Sequence, residues 1–228
     1  MTNFRITNIG NATDNPDDTW CVEIDLPAEC DMQVYHSDSG NTESLTPGIK
    51  AVVTLPYGEY LEFEGDNEHG LYPDTDSAHI VCPENGAYEA SGQLSSLAKL
   101  DSKEGYSFYG LFSANKGLAK ADNLVLPAGY DESEESFASM FYGCINLTQG
   151  PKEIPYTSGQ RSNFISLFQG CSSLSSAGVV WTQWPDSVDT SNWLYGVSSA
   201  GTFYCPSSLE IPSRDENGVP SGWTIQRT

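Results

Sequence analysis

Residues 137–147 read Phe137-Ala-Ser-Met-Phe-Tyr-Gly-Cys-Ile-Asn-Leu147, and residues 164–174 read Phe164-Ile-Ser-Leu-Phe-Gln-Gly-Cys-Ser-Ser-Leu174. An earlier copy at 108–118 keeps Phe108, Leu111, Phe112, Asn115 and Leu118 in the same slots, with Asn in place of Cys. A fourth, worn copy keeps Trp193, Val197, Ala200 and Phe203. Matching Phe112, Phe141, Phe168 and Val197 gives intervals of 29, 27 and 29 residues. Self-similarity at this interval marks a stack of repeats, because no single unit can bury its own apolar face.

Inside each copy the large apolar residues fall at i, i+3, i+4 and i+7, the spacing of one helical stripe. The spacing therefore predicts a short helix per copy, capped by Ser133 to Glu135 or Ser162–Asn163 and ended near Gly143 or Gly170. Short extended stretches closing on proline follow at Leu124–Pro127, Lys152–Pro155 and Val179–Pro185. Two helical turns and four extended residues are marginal in isolation, so neighbours must supply the stability. The expected interior comprises Phe108, Leu111, Phe112, Leu118, Phe137, Met140, Phe141, Cys144, Leu147, Phe164, Leu167, Phe168, Cys171, Leu174, Trp193, Val197 and Phe203. Cys144 and Cys171 recur singly with no C-x-x-C pattern, which reads as small buried hydrophobes rather than a metal or redox pair.

The run Phe-x-x-[Met/Leu]-Phe-x-Gly-Cys-x-x-Leu followed by a proline-ended strand resembles the BspA-like leucine-rich repeat. So does the tail, Asn192 to Pro206 and Val219 to Ile225. That family occurs in bacterial surface proteins and in phages of gut Bacteroidetes, and the likeness covers roughly residues 88–228. It implies an α/β fold, a short solenoid of three to four strand–helix repeats over 91–207. A capping segment at 208–228, with a turn at Asp215–Gly218 and a closing strand near Gly222–Ile225, would end it.

Residues 1–90 read differently. Alternating runs at Phe4–Ile9, Trp20–Leu26, Met32–Tyr35, Ala51–Leu55, Tyr60–Phe63, His79–Cys82 and Ala87–Ala90 are separated by turn chemistry such as Pro47-Gly48. A small all-β, sandwich-like domain is expected there.

Charge bounds the partners. Thirty-one acids against ten bases give a formal −21, a surface that repels phosphate backbones, so nucleic acid is excluded as a partner. No apolar run is long enough to insert in a membrane, and Met1–Ile9 lacks the apolar centre of a secretory signal. A bridge between Cys21 and Cys30 is one reading of the six cysteines, and free thiols in a reducing cytoplasm the other.

Chemistry is sparse. His36, His69 and His79 share no ligand spacing, and no nucleophile elbow, phosphate loop or H-E-x-x-H appears. No catalytic residue, metal ligand or cofactor is assigned. Oxygen-rich loops at Asp14–Asp18, Asp66–Glu68 and Asp74–Asp76 could serve only a structural calcium. Aromatics outside the repeat slots are the better clue, and Tyr130, Tyr156, Trp181, Trp184 and Tyr195 form the candidate interaction surface. Of Trp181 and Trp184, one is expected to face inward and the other out.

The function expected from these readings is a non-enzymatic phage virion protein: a fibre, tail or capsid-decorating component made in the host cytoplasm. Its partners would be other virion proteins, further copies of itself, and a host-surface glycan or protein. A bacterial cell-surface adhesin is the alternative, and a carbohydrate-active enzyme using an acidic pair is a third reading.

Overall fold

The computed structural model describes residues 2–10, 20–67, 71, 77–98, 108–127, 137–156, 164–184, 188–215 and 217–228. The chain begins with two antiparallel sheets. Strands β1 (Phe4–Asn8), β3 (Gln33–His36), β4 (Thr42–Ser44), β6 (Tyr60–Glu64) and β8 (Tyr88–Gln93) assemble in the order β4-β3-β6-β1-β8. Strands β2 (Cys21–Asp25), β5 (Ala51–Thr54) and β7 (His79–Val81) form a second sheet, in the order β5-β2-β7. Alternation decides which side is buried: Phe4, Ile6, Leu61 and Phe63 point inward from the first sheet, and Val22, Ile24, Val53 and Ile80 from the second.

The first sheet does not stop at residue 90. Strand β9 (Leu118–Val125) adds to β8 in parallel, with Tyr88 opposite Leu118. Bridges from Lys120 to Gln149 and from Gln149 to Ser176 carry the ladder on to β10 (Ser176–Gly178). Parallel partners β11 (Gly201–Cys205) and β12 (Trp223–Arg227) complete it. One hydrogen-bonded ladder therefore runs from β4 to β12, antiparallel in its first half and parallel in its second.

The repeats themselves correct the α/β expectation. No α-helix occurs among the described residues, whose one helical element is a 3-10 turn over Leu94–Leu97, so the strand–helix solenoid is absent. Each copy is instead a run of tight turns laid on the turns of the next copy. Within the second copy, the amides of Met140, Tyr142 and Cys144 donate to carbonyls three residues back, on Phe137, Ser139 and Phe141. The alternate amides, of Ser139, Phe141 and Gly143, donate to Ile165, Leu167 and Gln169 of the third copy at 2.8–2.9 Å. Half of the hydrogen bonds thus leave the copy, whereas a helix keeps all of them.

Left-handed residues enforce this path. Ser139 and Gly143 have φ of 55° and 69°, and Ser166 and Gly170 have 55° and 79°. A left-handed residue every fourth position cannot belong to a right-handed helix, and it suits glycine at the second site. Apolar side chains still turn inward at i, i+3, i+4 and i+7, which is why the stripe reads as helical.

The ladder also corrects the fourth copy. Phe168 donates to Trp193 and Gly170 to Tyr195, so Gly196 matches Gly170, and Leu194, not Val197, matches Phe168. A Cβ built on Gly196 lies 3.6 Å from the Gly170 Cα, and one on Gly170 lies 3.6 Å from that of Gly143. The copy starts at Thr190, and the intervals are 29, 27 and 26 residues. Val197 is only half-buried and Ala200 is exposed, while Phe203 is buried on β11.

Rings stack through the interior along the ladder. Phe63, Phe4, Phe112, Phe141 and Phe168 follow one another with centroids 5.1, 5.9, 5.4 and 5.2 Å apart. A second column joins Phe108, Phe137 and Phe164 at 6.3 and 5.7 Å. Cys144 and Cys171 are fully buried, their thiols donating to the Phe112 and Phe141 carbonyls at 2.9 Å.

Candidate interaction surface

Of the aromatics read as surface residues, Trp181 is not on the surface. Trp181 is buried, stacked 5.7 Å from Trp193 and 5.6 Å from Phe164. Trp184 stands edge-on to Trp181 and Trp193 at 5.1 and 5.8 Å, and Tyr156 edge-on to Trp181 at 6.5 Å. Trp184 and Tyr156 are half-buried against the core. They pack against the interior at the last copies, so Trp181 belongs to the core and Tyr156 and Trp184 lie at its margin. Tyr195 is exposed, and Tyr130 lies outside the described residues.

Correct register brings a different surface together. Counting 27 and then 26 residues places Tyr142, Gln169 and Tyr195 in one slot, with Ser113 before them. Tyr142 and Tyr195 are 45% and 54% exposed, and Ile145, three residues beyond Tyr142, is exposed as well. Only Tyr195 was legible as a surface residue from the sequence; the Gly143, Gly170 and Gly196 spacing was the signal that could have found Tyr142.

The electrostatics of this face differ from the rest. Residues 108–118, 137–147, 164–174 and 190–200 contain no Asp or Glu, and Lys116 is their one charged residue. Residues 1–100 hold 18 acids and 3 bases, and residues 101–228 hold 13 and 7, so −15 of the −21 lies in the first part. The four copies themselves thus lack carboxylates, while most of the acidic excess falls in the part of the chain that supplies the two antiparallel sheets.

The two described histidines are hydrogen-bonded. His36 Nε2 meets Glu43 Oε1 at 2.8 Å and His79 Nε2 meets Ser77 Oγ at 3.1 Å, while His69 lies outside the described residues. A recess of about 380 Å³ is lined by Asp31, Glu64 and Asp66 with Gln33 and Ser44. The loop beside it is wired internally: the Asp66 amide donates to Asp31 Oδ1 at 2.9 Å, and buried Asn67 bonds the Asp31 amide and the Leu97 carbonyl. Among the described residues no three His, Cys, Asp or Glu converge as metal ligands. The other loops read for calcium, Asp14–Asp18, Glu68 and Asp74–Asp76, lie outside the described residues.

None of the six cysteines is in a disulfide, which corrects the reading of a Cys21–Cys30 bridge. Burial pushes the Cys82 thiol up to about 12, against hydrogen bonding from Asn115. Burial, with Cys171 alongside, also raises Cys144 well above the thiol range. Unfolded thiols ionise near 9 while these stay protonated, so the Cys82 contribution to stability is complete below pH 9 and is lost as pH rises through 12, with Cys144 acting in the same direction. Melting temperature should accordingly fall steadily from pH 9 to 11. At pH 8, native iodoacetamide labelling should be confined to half-buried Cys21, with all six thiols reacting after denaturation. Rapid native labelling of Cys144 or Cys171 would contradict the packing described.

Compared with protein-family models, with curated proteins and with solved structures, the chain matches none. Among the described residues no helix is long and apolar enough to cross a membrane.

Proposed function

We propose that this chain is a structural component of a phage virion, a fibre, tail or head decoration, that acts in assembly and host attachment and not as an enzyme. The sequence support is the BspA-like character of its repeats. The observation that carries the reading is the single ladder from β4 to β12, which fixes an acidic pair of sheets at one end and a neutral, tyrosine-bearing face along the other. Such a body is stiff, because successive copies share backbone hydrogen bonds and stacked rings rather than a linker. In this proposal the sheets of residues 1–90 anchor the chain in its assembly, and the turn stack presents its outer face. A bacterial surface adhesin would use the same face, and location separates the two.

Immunogold labelling with an antibody to the purified chain is the test. Gold on released particles is expected. Gold confined to the envelope of uninfected cells would replace the virion reading with the adhesin.

A further inference from the structure

We infer that the outer face of the turn stack around Tyr142, Gln169 and Tyr195 binds a neutral oligosaccharide. The inference rests on the attachment role proposed above and names the ligand class for it.

Backbone rigidity comes first. The carbonyls of Tyr142, Gln169 and Tyr195 accept from Ala114, Gly143 and Gly170, and their amides donate to Ser139, Ser166 and Asn192. Both backbone groups of all three residues are therefore fixed before any ligand arrives, which removes most of the ordering cost of binding. Tyr142 and Tyr195 are two rungs apart, about 10 Å at the usual spacing of neighbouring strands. Half-buried Gln169 stands between them with an amide that both donates and accepts. Two exposed phenol rings with an amide between them suit a ligand having apolar ring faces and a hydroxyl rim, and each ring costs little entropy to hold.

Charge then selects among such ligands. An anionic glycan or nucleic acid would be repelled by the −21 body, and a cationic partner would be drawn to the acidic sheets, not to a face without carboxylates. A protein partner, including a second copy, needs a contiguous apolar centre. Here the exposed apolar side chains are few, Tyr142 and Ile145 on one copy and Tyr195 two copies on, with the Gln169 amide in the slot between the two tyrosines. An uncharged polyol fits all three constraints.

The test uses the full chain on an array of neutral and anionic glycans, followed by calorimetry with the best neutral binder. Neutral glycans should bind, with Tyr142→Ala and Tyr195→Ala each weakening the complex about tenfold. Tyr57→Ala, equally exposed beside the β5 edge, should leave binding unchanged. Unaltered melting curves check that the variants fold. Absence of binding by every neutral glycan, equal binding of anionic ones, or full affinity in the double tyrosine variant would overturn the inference. Self-association abolished by Tyr195→Ala would also overturn it, in favour of a contact between copies. Gold on particles without glycan binding removes this inference alone; glycan binding without gold on particles removes the virion reading alone.

Discussion

Phe141→Ala should destabilise the chain by about 3–5 kcal/mol, the cost of emptying a fully buried aromatic site. Phe141 has no exposed surface and lies between Phe112 and Phe168, at 5.4 and 5.2 Å, with its ring within 16° of parallel to both. Removing it breaks two ring contacts and opens a gap in the middle of the column, where collapse is resisted by the hydrogen bonds from Phe141 to Leu167 and from Phe112 to Met140. Phe168→Leu should cost far less, about 1–2 kcal/mol, because the next copy already carries Leu194 in that slot. Urea denaturation of both variants measures the difference. Equal costs would mean that the column is not the shared interior.

Repetition was legible because identical slots recur: Phe, Leu or Met, Phe, Gly and Cys at fixed offsets in two copies allow one alignment. Backbone conformation was not legible from the same slots. An inward residue at i, i+3, i+4 and i+7 is produced equally by a helix and by successive three-residue turns, and only the destination of the alternate amides separates them. Ser139 and Ser166 gave no warning, since serine rarely adopts the positive φ found at both. The fourth copy slipped by three residues because Trp193 was matched to a phenylalanine slot, although Gly196 matches Gly170. That slip separated Tyr195 from Tyr142 and hid the face they share. For Trp181 and Trp184 an extended run would place one side chain inward and the other out; residues 181–184 do not form a strand, yet Trp181 is buried while Trp184 is only half-buried, its ring edge-on to Trp193.

Asn115→Leu should cost on the order of 4 kcal/mol, a loss comparable to emptying the ring column although the volumes are similar. Asn115 holds the slot that Cys144 and Cys171 hold in later copies, and it differs because the layer beneath it differs. Below Cys144 lies another turn copy, and one thiol bond to the Phe112 carbonyl suffices, while Leu147 donates to the Cys144 carbonyl. Below Asn115 lies the end of β7, which ladders onto the first copy through the Ile80 amide and the Leu111 carbonyl at 2.9 Å. The Asn115 side chain, fully buried, completes the join: Nδ2 donates to the Ile80 carbonyl at 2.8 Å, and Oδ1 accepts from Cys82 and Leu118 at 3.2 and 3.1 Å. Leucine leaves three buried backbone groups without partners, each an uncompensated desolvation. Cysteine can still donate to Ile80 and should be intermediate. Aspartate keeps the acceptor but loses the donor and buries a charge, so it should be at least as damaging as leucine at pH 7 and recover in part as pH falls and the carboxyl takes up its proton. Denaturation midpoints in the order wild type, cysteine, leucine would establish that this amide joins the acidic sheets to the neutral stack. A leucine variant as stable as wild type would show that the β8–β9 ladder and ring packing hold the two halves together without this amide.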